Sequence, residues 1–182
     1  MGFDIAITQA VNGLSGRWPP LDFAMLAVTY SGVPAMALAV AAQWWRVPKR
    51  SALRHDIVAA GLTFLLGLAI NQVVLLFVHR ARPYDVGVSR ALVARTADPS
   101  FPSDHATAAF AIVFAMFAAG RRGQGAAFAA AALLVSFSRL YVGAHWFTDL
   151  LGGAATAAIA AIVVARAYRP GTALDRFATG IF

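Results

Sequence analysis

The chain has 182 residues, 60% of them hydrophobic and only 13% charged, with a mean hydropathy of +0.68, a balance that excludes an ordinary soluble domain and indicates a polytopic membrane protein. That length holds one compact bundle, read as a single membrane-embedded domain over 1–182, with no separate soluble domain. With so little polar surface, the net charge of +7 belongs to loops that set orientation or meet anionic lipid rather than to a nucleic-acid site, and the absence of cysteine excludes thiol catalysis, disulfides and thiolate-bound metals.

Residues 1–17 are amphipathic, with Phe3, Ile7, Ala10, Val11 and Leu14 on one stripe and Asp4, Thr8, Gln9 and Asn12 elsewhere, the pattern of a helix lying at a membrane interface. No basic residue precedes Arg17 and the apolar positions are periodic, unlike a cleavable signal peptide. Trp18 and Pro19-Pro20 end this segment at the interface. Residues 21–47 are apolar throughout and exceed the roughly 20 residues that cross a bilayer; Pro34 is placed to kink this first span and Trp44-Trp45 to sit in the aromatic belt at its far end. Further spans are expected at 57–78, 103–120, 124–141 and 146–167, the third being short, with Gly152-Gly153 allowing close helix packing in the last. The expected fold is all-α, a polytopic bundle of about five transmembrane helices plus the N-terminal interfacial helix.

Basic residues follow alternate spans: Arg46, Lys49, Arg50 and Arg54 after the first, Arg121-Arg122 after the third, and Arg166, Arg169 and Arg176 after the fifth. That side is expected to be cytoplasmic. The other side then receives the N-terminal segment, the long connection 79–102 and a turn around Gly143. Arg80, Arg82, Arg90 and Arg95 in the connection run against the positive-inside trend. Arginines kept where topology disfavours them point to an anion site, although Arg90 and Arg95 read as solvated loop charges. His55, His79 and Arg54 read as snorkelling or hydrogen-bonded groups, and Trp146 as an interfacial anchor.

Three clusters fall on that second side. In SRLYVGAHWFTD, Ser138 to Asp149, an arginine, a histidine and an aspartate stand where ionisable groups are costly, roughly 2.5–3.5 kcal/mol for an Asp at the centre of a membrane helix. His145 and Asp149 are four residues apart, about 40° round a helix, so the carboxylate can hold one imidazole nitrogen and leave the other to a substrate, as a nucleophile or a base. In FPSDHA, Ser103 fits a helix N-cap after Pro102, with open N–H groups and the positive dipole end directed outward, and His105 can offer a proton beside it. HRARPYD contributes Arg82, which with Arg139 can present planar forks to a tetrahedral oxyanion.

Arg82-Pro83, the PSDH run from Pro102 to His105, and S-R-x5-H-x3-D from Ser138 to Asp149 resemble the three signature motifs of the membrane-bound type 2 phosphatidic acid phosphatase superfamily. PSDH with the HRxRP context is similar to bacterial undecaprenyl-diphosphate phosphatases of the bacitracin-resistance type. The resemblance covers roughly Leu75 to Asp149. It implies that His145 attacks phosphorus to give a phosphohistidine, that Asp149 holds the imidazole, and that His105 protonates the leaving group and then activates water. It further implies that Arg82, Arg139, Ser103 and the backbone at Asp104 bind the non-bridging oxygens. It calls for no metal and no cofactor.

The implied partners are the lipid bilayer and a membrane lipid phosphate, undecaprenyl diphosphate first, in the bacterial inner (cytoplasmic) membrane with the site on the extracytoplasmic side. The alternatives are a phosphatase for phosphatidylglycerol phosphate, phosphatidic acid or lipid A, or a lipid phosphotransferase; the residues alone do not separate hydrolysis from transfer. One departure stands out. The family's first motif begins with a Lys seven residues before the Arg, where this chain has Leu75. On a helix Leu75 lies beneath Arg82 and Arg80 turns away, so a pocket poorer in cations is expected, compensated by His79.

Overall fold

The computed structural model describes residues 2–49 and 51–181; Arg50, counted above among the loop cations, lies outside the described residues. Seven α-helices follow in order among them: α1 (Gly2–Asn12), α2 (Pro19–Ala41), α3 (Ala52–Leu75), α4 (Asp104–Ala118), α5 (Arg122–Tyr141), α6 (Phe147–Ala167) and α7 (Ala173–Thr179). Pro19 and Pro20 open α2, where a missing N–H costs nothing and the fixed φ suits the first turn. The Ser51 hydroxyl caps α3 by accepting the Arg54 N–H at 3.3 Å. The helices α2 (with the 3₁₀ turn Trp44–Arg46), α3, α5 and α6 are long and apolar enough to cross a membrane.

The middle of the bundle is α4, packed against α3, α5 and α6. It is short for a span, but nine of its fifteen residues are buried, so protein rather than lipid surrounds most of it and the usual length requirement is relaxed. Its core contacts join Met36 and Val40 of α2, Ala60 of α3, Ile112 and Met116 of α4, and Val135 of α5. Gly153 of α6 sits where an added Cβ would come 2.6 Å from the Ser103 carbonyl, so α6 and the start of α4 meet at backbone distance. Gly152 likewise faces the Phe101 ring. The expected close packing is therefore found, and both glycines serve the approach to residues 101–107. Phe23, Tyr30, Leu38, Leu65, Leu133 and Ile159 point outward; such an apolar belt on long apolar helices is the lipid surface of an integral membrane protein.

The structure corrects the sequence reading in several places. The second span ends at Leu75 rather than residue 78, because the carbonyls of Arg80 and Ala81 are taken by Ser100 N (2.8 Å) and Trp146 Nε1 (2.8 Å), which draws the chain off the helix and across the end of the bundle. Trp146 is accordingly a buried clamp on that connection, not an interfacial anchor. In α1 the polar stripe, Asp4, Thr8 and Asn12, is the buried face, and Phe3 and Leu14 are exposed. The helix thus turns Phe3 outward, packs Ile7 and Val11 against the core, and adds hydrogen bonds to the protein: Asn12 Nδ2 donates to the carbonyls of Tyr141 (2.8 Å) and Arg90 (3.0 Å).

The helix α7 was not anticipated. It is held to the far end of α3 by His55 Nδ1 on Asp175 (2.8 Å), by the Tyr168 hydroxyl on the same carboxylate (2.7 Å), and by Arg54, which donates to the carbonyls of Thr179 and Ile181. His55 and Arg54 are therefore hydrogen-bonded structural groups. At the same end, Asp56 pairs with Arg121.

Candidate active site

At the opposite end of the bundle, α3, α4, α5 and the 79–102 connection surround a cavity of about 330 Å³ whose lining includes Leu75, Arg82, Asp104, His105, Arg139 and His145. Three stretches far apart in sequence thus converge on one space large enough for a phosphorylated headgroup.

His145 sits in the turn between α5 and α6. The turn forms because Gly143 adopts φ +75°, a left-handed conformation that ends α5, in a place where a Cβ would strike the Arg90 carbonyl and lie 2.8 Å from Asn12 Nδ2. The imidazole is almost fully buried, at 3% exposure. Its Nδ1 lies 2.9 Å from the Ser100 carbonyl, which only accepts, so Nδ1 carries the hydrogen and Nε2 keeps its lone pair. Nε2 faces Arg82 Nη1 at 3.4 Å. The carboxylate of Asp149 is expected from the spacing to hold the ring, and its Oδ2 is 3.5 Å from Nδ1. Ser100 is the closer partner. Asp149 Oδ2 accepts the Trp146 N–H at 2.8 Å and Oδ1 accepts Arg80 Nη1 at 2.7 Å, so the carboxylate fixes the turn as much as the ring. Burial pushes the His145 imidazole below the ordinary histidine range; the hydrogen bond to Asp149 opposes this, and Arg139 and Arg82 add to it.

Arg82 is locked by loop carbonyls: Nε donates to Asp98 (3.0 Å) and Nη1 to Ala144 (3.0 Å). Arg139, 8% exposed on the last turn of α5, has a buried Nε with no hydrogen-bond partner among the described residues. Ser103 is the N-cap residue of α4, as its position in sequence indicates, but its hydroxyl makes no capping bond and is likewise buried without a partner. Two orphaned donors next to a cavity are the signature of a place meant for an acceptor, since burying them unpaired costs roughly 1–3 kcal/mol each. His105 is half-buried at the cavity wall. Asp104 turns its carboxylate to Asn71 Nδ2 (2.7 Å), and Asn71 also donates to Thr107 (2.8 Å), whose hydroxyl lies within hydrogen-bond reach of the Ser103 and Gly153 carbonyls. The Asn71 side chain of α3, the Asp104 and Thr107 side chains of α4 and the Gly153 carbonyl of α6 thus brace the first turn of α4.

The residues that the resemblance assigns to the site, Arg82, Ser103, Asp104, His105, Arg139, His145 and Asp149, lie at or directly behind this cavity. His79 does not: it is exposed and away from the lining, so it supplies no compensation for the missing lysine. Leu75 does face the cavity, with Gln72 one turn below. Arg80 is off the helix, as the early end of α3 requires, and it reaches behind His145 to Asp149 and Asp4 rather than into the cavity. Ser100 and Asn71 were not identified in the sequence. A lone serine carbonyl leaves no trace there, whereas Asn71, a polar residue in the apolar run of α3, was a usable signal.

The solved structure of a transmembrane PAP2-type phosphatidylglycerolphosphate phosphatase from Bacillus subtilis shares this fold with a TM-score of 0.68 over 90% of this chain and 83% of that one, at 24% identity. Undecaprenyl-diphosphatase BcrC of Bacillus subtilis (strain 168) is 37% identical over 153 residues, which is 84% of this chain and 78% of BcrC. YbjG of Escherichia coli (strain K12) is 37% identical over 78 residues, 43% of this chain and 39% of its own. The PAP2 superfamily model matches residues 56–172, a stretch that contains every cavity residue named above. The chain belongs to the PAP2 superfamily.

Proposed function

We propose that this protein is a membrane lipid phosphatase that converts undecaprenyl diphosphate to undecaprenyl phosphate through a phosphohistidine on His145. The observation that carries the reading is the state of His145: Nδ1 is bound to a backbone carbonyl, and Nε2 turns its lone pair toward Arg82 Nη1, 3.4 Å away, at a cavity flanked by two guanidinium groups. BcrC, similar over most of both chains and named an undecaprenyl-diphosphatase, supports the choice of substrate.

In the proposed reaction Nε2 attacks the terminal phosphorus, forming the P–N bond while the bond to the bridging oxygen breaks. His105 gives its proton to that oxygen, then takes one from the water that attacks the phosphohistidine and releases inorganic phosphate. Arg82, Arg139, the Ser103 hydroxyl and the Asp104 N–H hold the non-bridging oxygens, and fixed donors of this kind favour the five-coordinate state where charge accumulates. The Asp149 carboxylate stabilises the imidazole as positive charge develops on it. The basic loops lie at the end of the bundle away from the cavity, which supports a cytoplasmic placement of that end and an extracytoplasmic site in the bacterial cytoplasmic membrane.

The test is phosphate release by purified protein in detergent from undecaprenyl diphosphate, phosphatidylglycerol phosphate and phosphatidic acid. The diphosphate is expected to be turned over with the highest kcat/KM. Absence of release from all three overturns the assignment.

A further inference from the structure

Asp4, near the start of α1, is buried, an unusual place for a carboxylate. Burial alone would push its carboxyl up, but hydrogen bonds from Thr148 and Arg80 prevail and hold it below the usual carboxylate range, so it stays charged. Oδ1 accepts the Thr148 N–H at 3.0 Å, and Oδ2 accepts the Thr148 hydroxyl at 2.7 Å and Arg80 Nη2. The same guanidinium donates through Nη1 to Asp149 Oδ1 at 2.7 Å and lies over the Trp146 ring, 5.0 Å from its centroid. One arginine therefore bridges two carboxylates, one from α1 and one from α6, and the second of these sits against His145. Nothing in this network touches the cavity except through His145.

We propose that Asp4 is a positioning residue for the reaction, holding Arg80 and Thr148 so that Asp149 keeps the His145 imidazole in its attacking orientation. The interfacial helix is then part of the catalytic apparatus as well as a membrane contact. The fork geometry explains the use of arginine: its two Nη groups reach two carboxylates at once, which a lysine ammonium on a single stem does not reproduce. It also gives Arg80 a task distinct from that of the lysine this chain lacks at Leu75. The proposal rests on His145 as nucleophile.

The charged groups around the His145 ring are Asp149 from α6, Arg139 from α5, Arg82 from the connection and His105 from α4. Replacing Asp4 by Asn removes a negative charge and leaves Arg80 wholly on Asp149, which disfavours the imidazolium. Replacing Arg80 by Gln frees the Asp149 charge and favours it. The two variants therefore shift the His145 titration in opposite directions, Asp4→Asn to lower pH and Arg80→Gln to higher pH.

The experiment has two arms. NMR on histidine-labelled protein in micelles follows the ring of His145 among four histidines, with His145→Ala giving the assignment; this arm needs no turnover. Kinetics on undecaprenyl diphosphate then compare wild type with Asp4→Asn, Asp4→Ala and Arg80→Lys. Asp4→Ala is expected to lose roughly tenfold to hundredfold in kcat, the scale of a misplaced reacting group, with KM within about twofold because Asp4 does not face the cavity. Arg80→Lys is expected to recover less than the full rate. If Asp4→Ala fails to fold, the isosteric Asp4→Asn carries both arms. An unmoved titration in Asp4→Asn, or wild-type kcat in both Asp4 variants, overturns the proposal. Opposite titration shifts in a protein that hydrolyses no lipid sustain the coupling and overturn the assigned function instead.

Discussion

Replacing Ser103 by Ala separates two roles that predict effects of opposite sign. A serine that caps α4 through its hydroxyl would stabilise the protein, and its loss would cost about 1 kcal/mol. In the structure Ser103 occupies the N-cap position but its Oγ makes no capping bond and is fully buried without a partner. Removing a buried, unpaired hydroxyl relieves a desolvation penalty of roughly 1–3 kcal/mol and leaves a void smaller than a methyl group. The ligand-free Ser103→Ala protein is therefore expected to be at least as stable as wild type and up to roughly 2–4 °C higher in melting temperature per kcal/mol gained. Catalysis should move the other way. A hydroxyl donating to a phosphate oxygen contributes about 1.5–3 kcal/mol, so kcat/KM is expected to fall by roughly tenfold to hundredfold. Thermal unfolding of detergent-solubilised protein without phosphate, alongside phosphate release from a lipid diphosphate, reads both quantities. A melting temperature lowered by several degrees with kcat/KM unchanged would show that the hydroxyl is a cap after all and has no part in holding phosphate.

The other expectations are briefer. His145→Ala and His105→Ala should each abolish turnover while the protein still folds and inserts; activity within about tenfold of wild type for either removes that residue from the chemistry. Leu75→Lys should tighten vanadate binding, because position 75 faces the cavity and each charge-assisted hydrogen bond is worth about 1.5–3 kcal/mol; unchanged affinity in a folded variant would show that the lysine stem does not reach the oxyanion. Turnover should survive excess EDTA and be inhibited by vanadate, since the proposed counter-charges are guanidinium groups, and loss on chelation with recovery on adding magnesium would require a different mechanism. A single cysteine at 88 should react with an impermeant label from outside intact cells and those at 52 and 121 should not; the reverse pattern inverts the assigned orientation.

The sequence made the spans legible because lipid imposes length and composition on any helix that crosses it, and α2, α3, α5 and α6 begin and end within a few residues of the apolar runs. The candidate site was legible for the opposite reason. His105, Arg139, His145 and Asp149 stand at span ends or in apolar helices where each charge is costly, so their presence alone argued for use. What stayed hidden depended on partners distant in the chain. The polar stripe Asp4, Thr8 and Asn12 looked like the water-facing side of α1, and its partners Arg80, Tyr141, Phe147 and Thr148 lie roughly 75 to 145 residues on. The end of α3 was misplaced because no Pro or Gly marks it: two hydrogen bonds to the carbonyls of Arg80 and Ala81 stop the helix, and those come from Ser100 and Trp146. The primary partner of His145 is a backbone carbonyl, a group that every residue carries and no pattern reveals.

The shortness of α4 sets a depth for the chemistry. Fifteen residues rise about 22 Å, roughly 8 Å less than a hydrocarbon core of about 30 Å. At its far end α4 meets the Arg121 and Asp56 pair, where charged groups mark the membrane boundary. Its other end meets Gly153, six residues or about 9 Å down α6 from the turn that carries His145. The proposed anion-binding floor is therefore sunk well below the rim of the bundle. For a substrate anchored by a long hydrocarbon chain this geometry removes a large barrier, because each methylene lifted from lipid into water costs about 0.8 kcal/mol. On the proposed function the phosphate descends to guanidinium and hydroxyl donors that replace its hydration while the hydrocarbon chain stays in lipid.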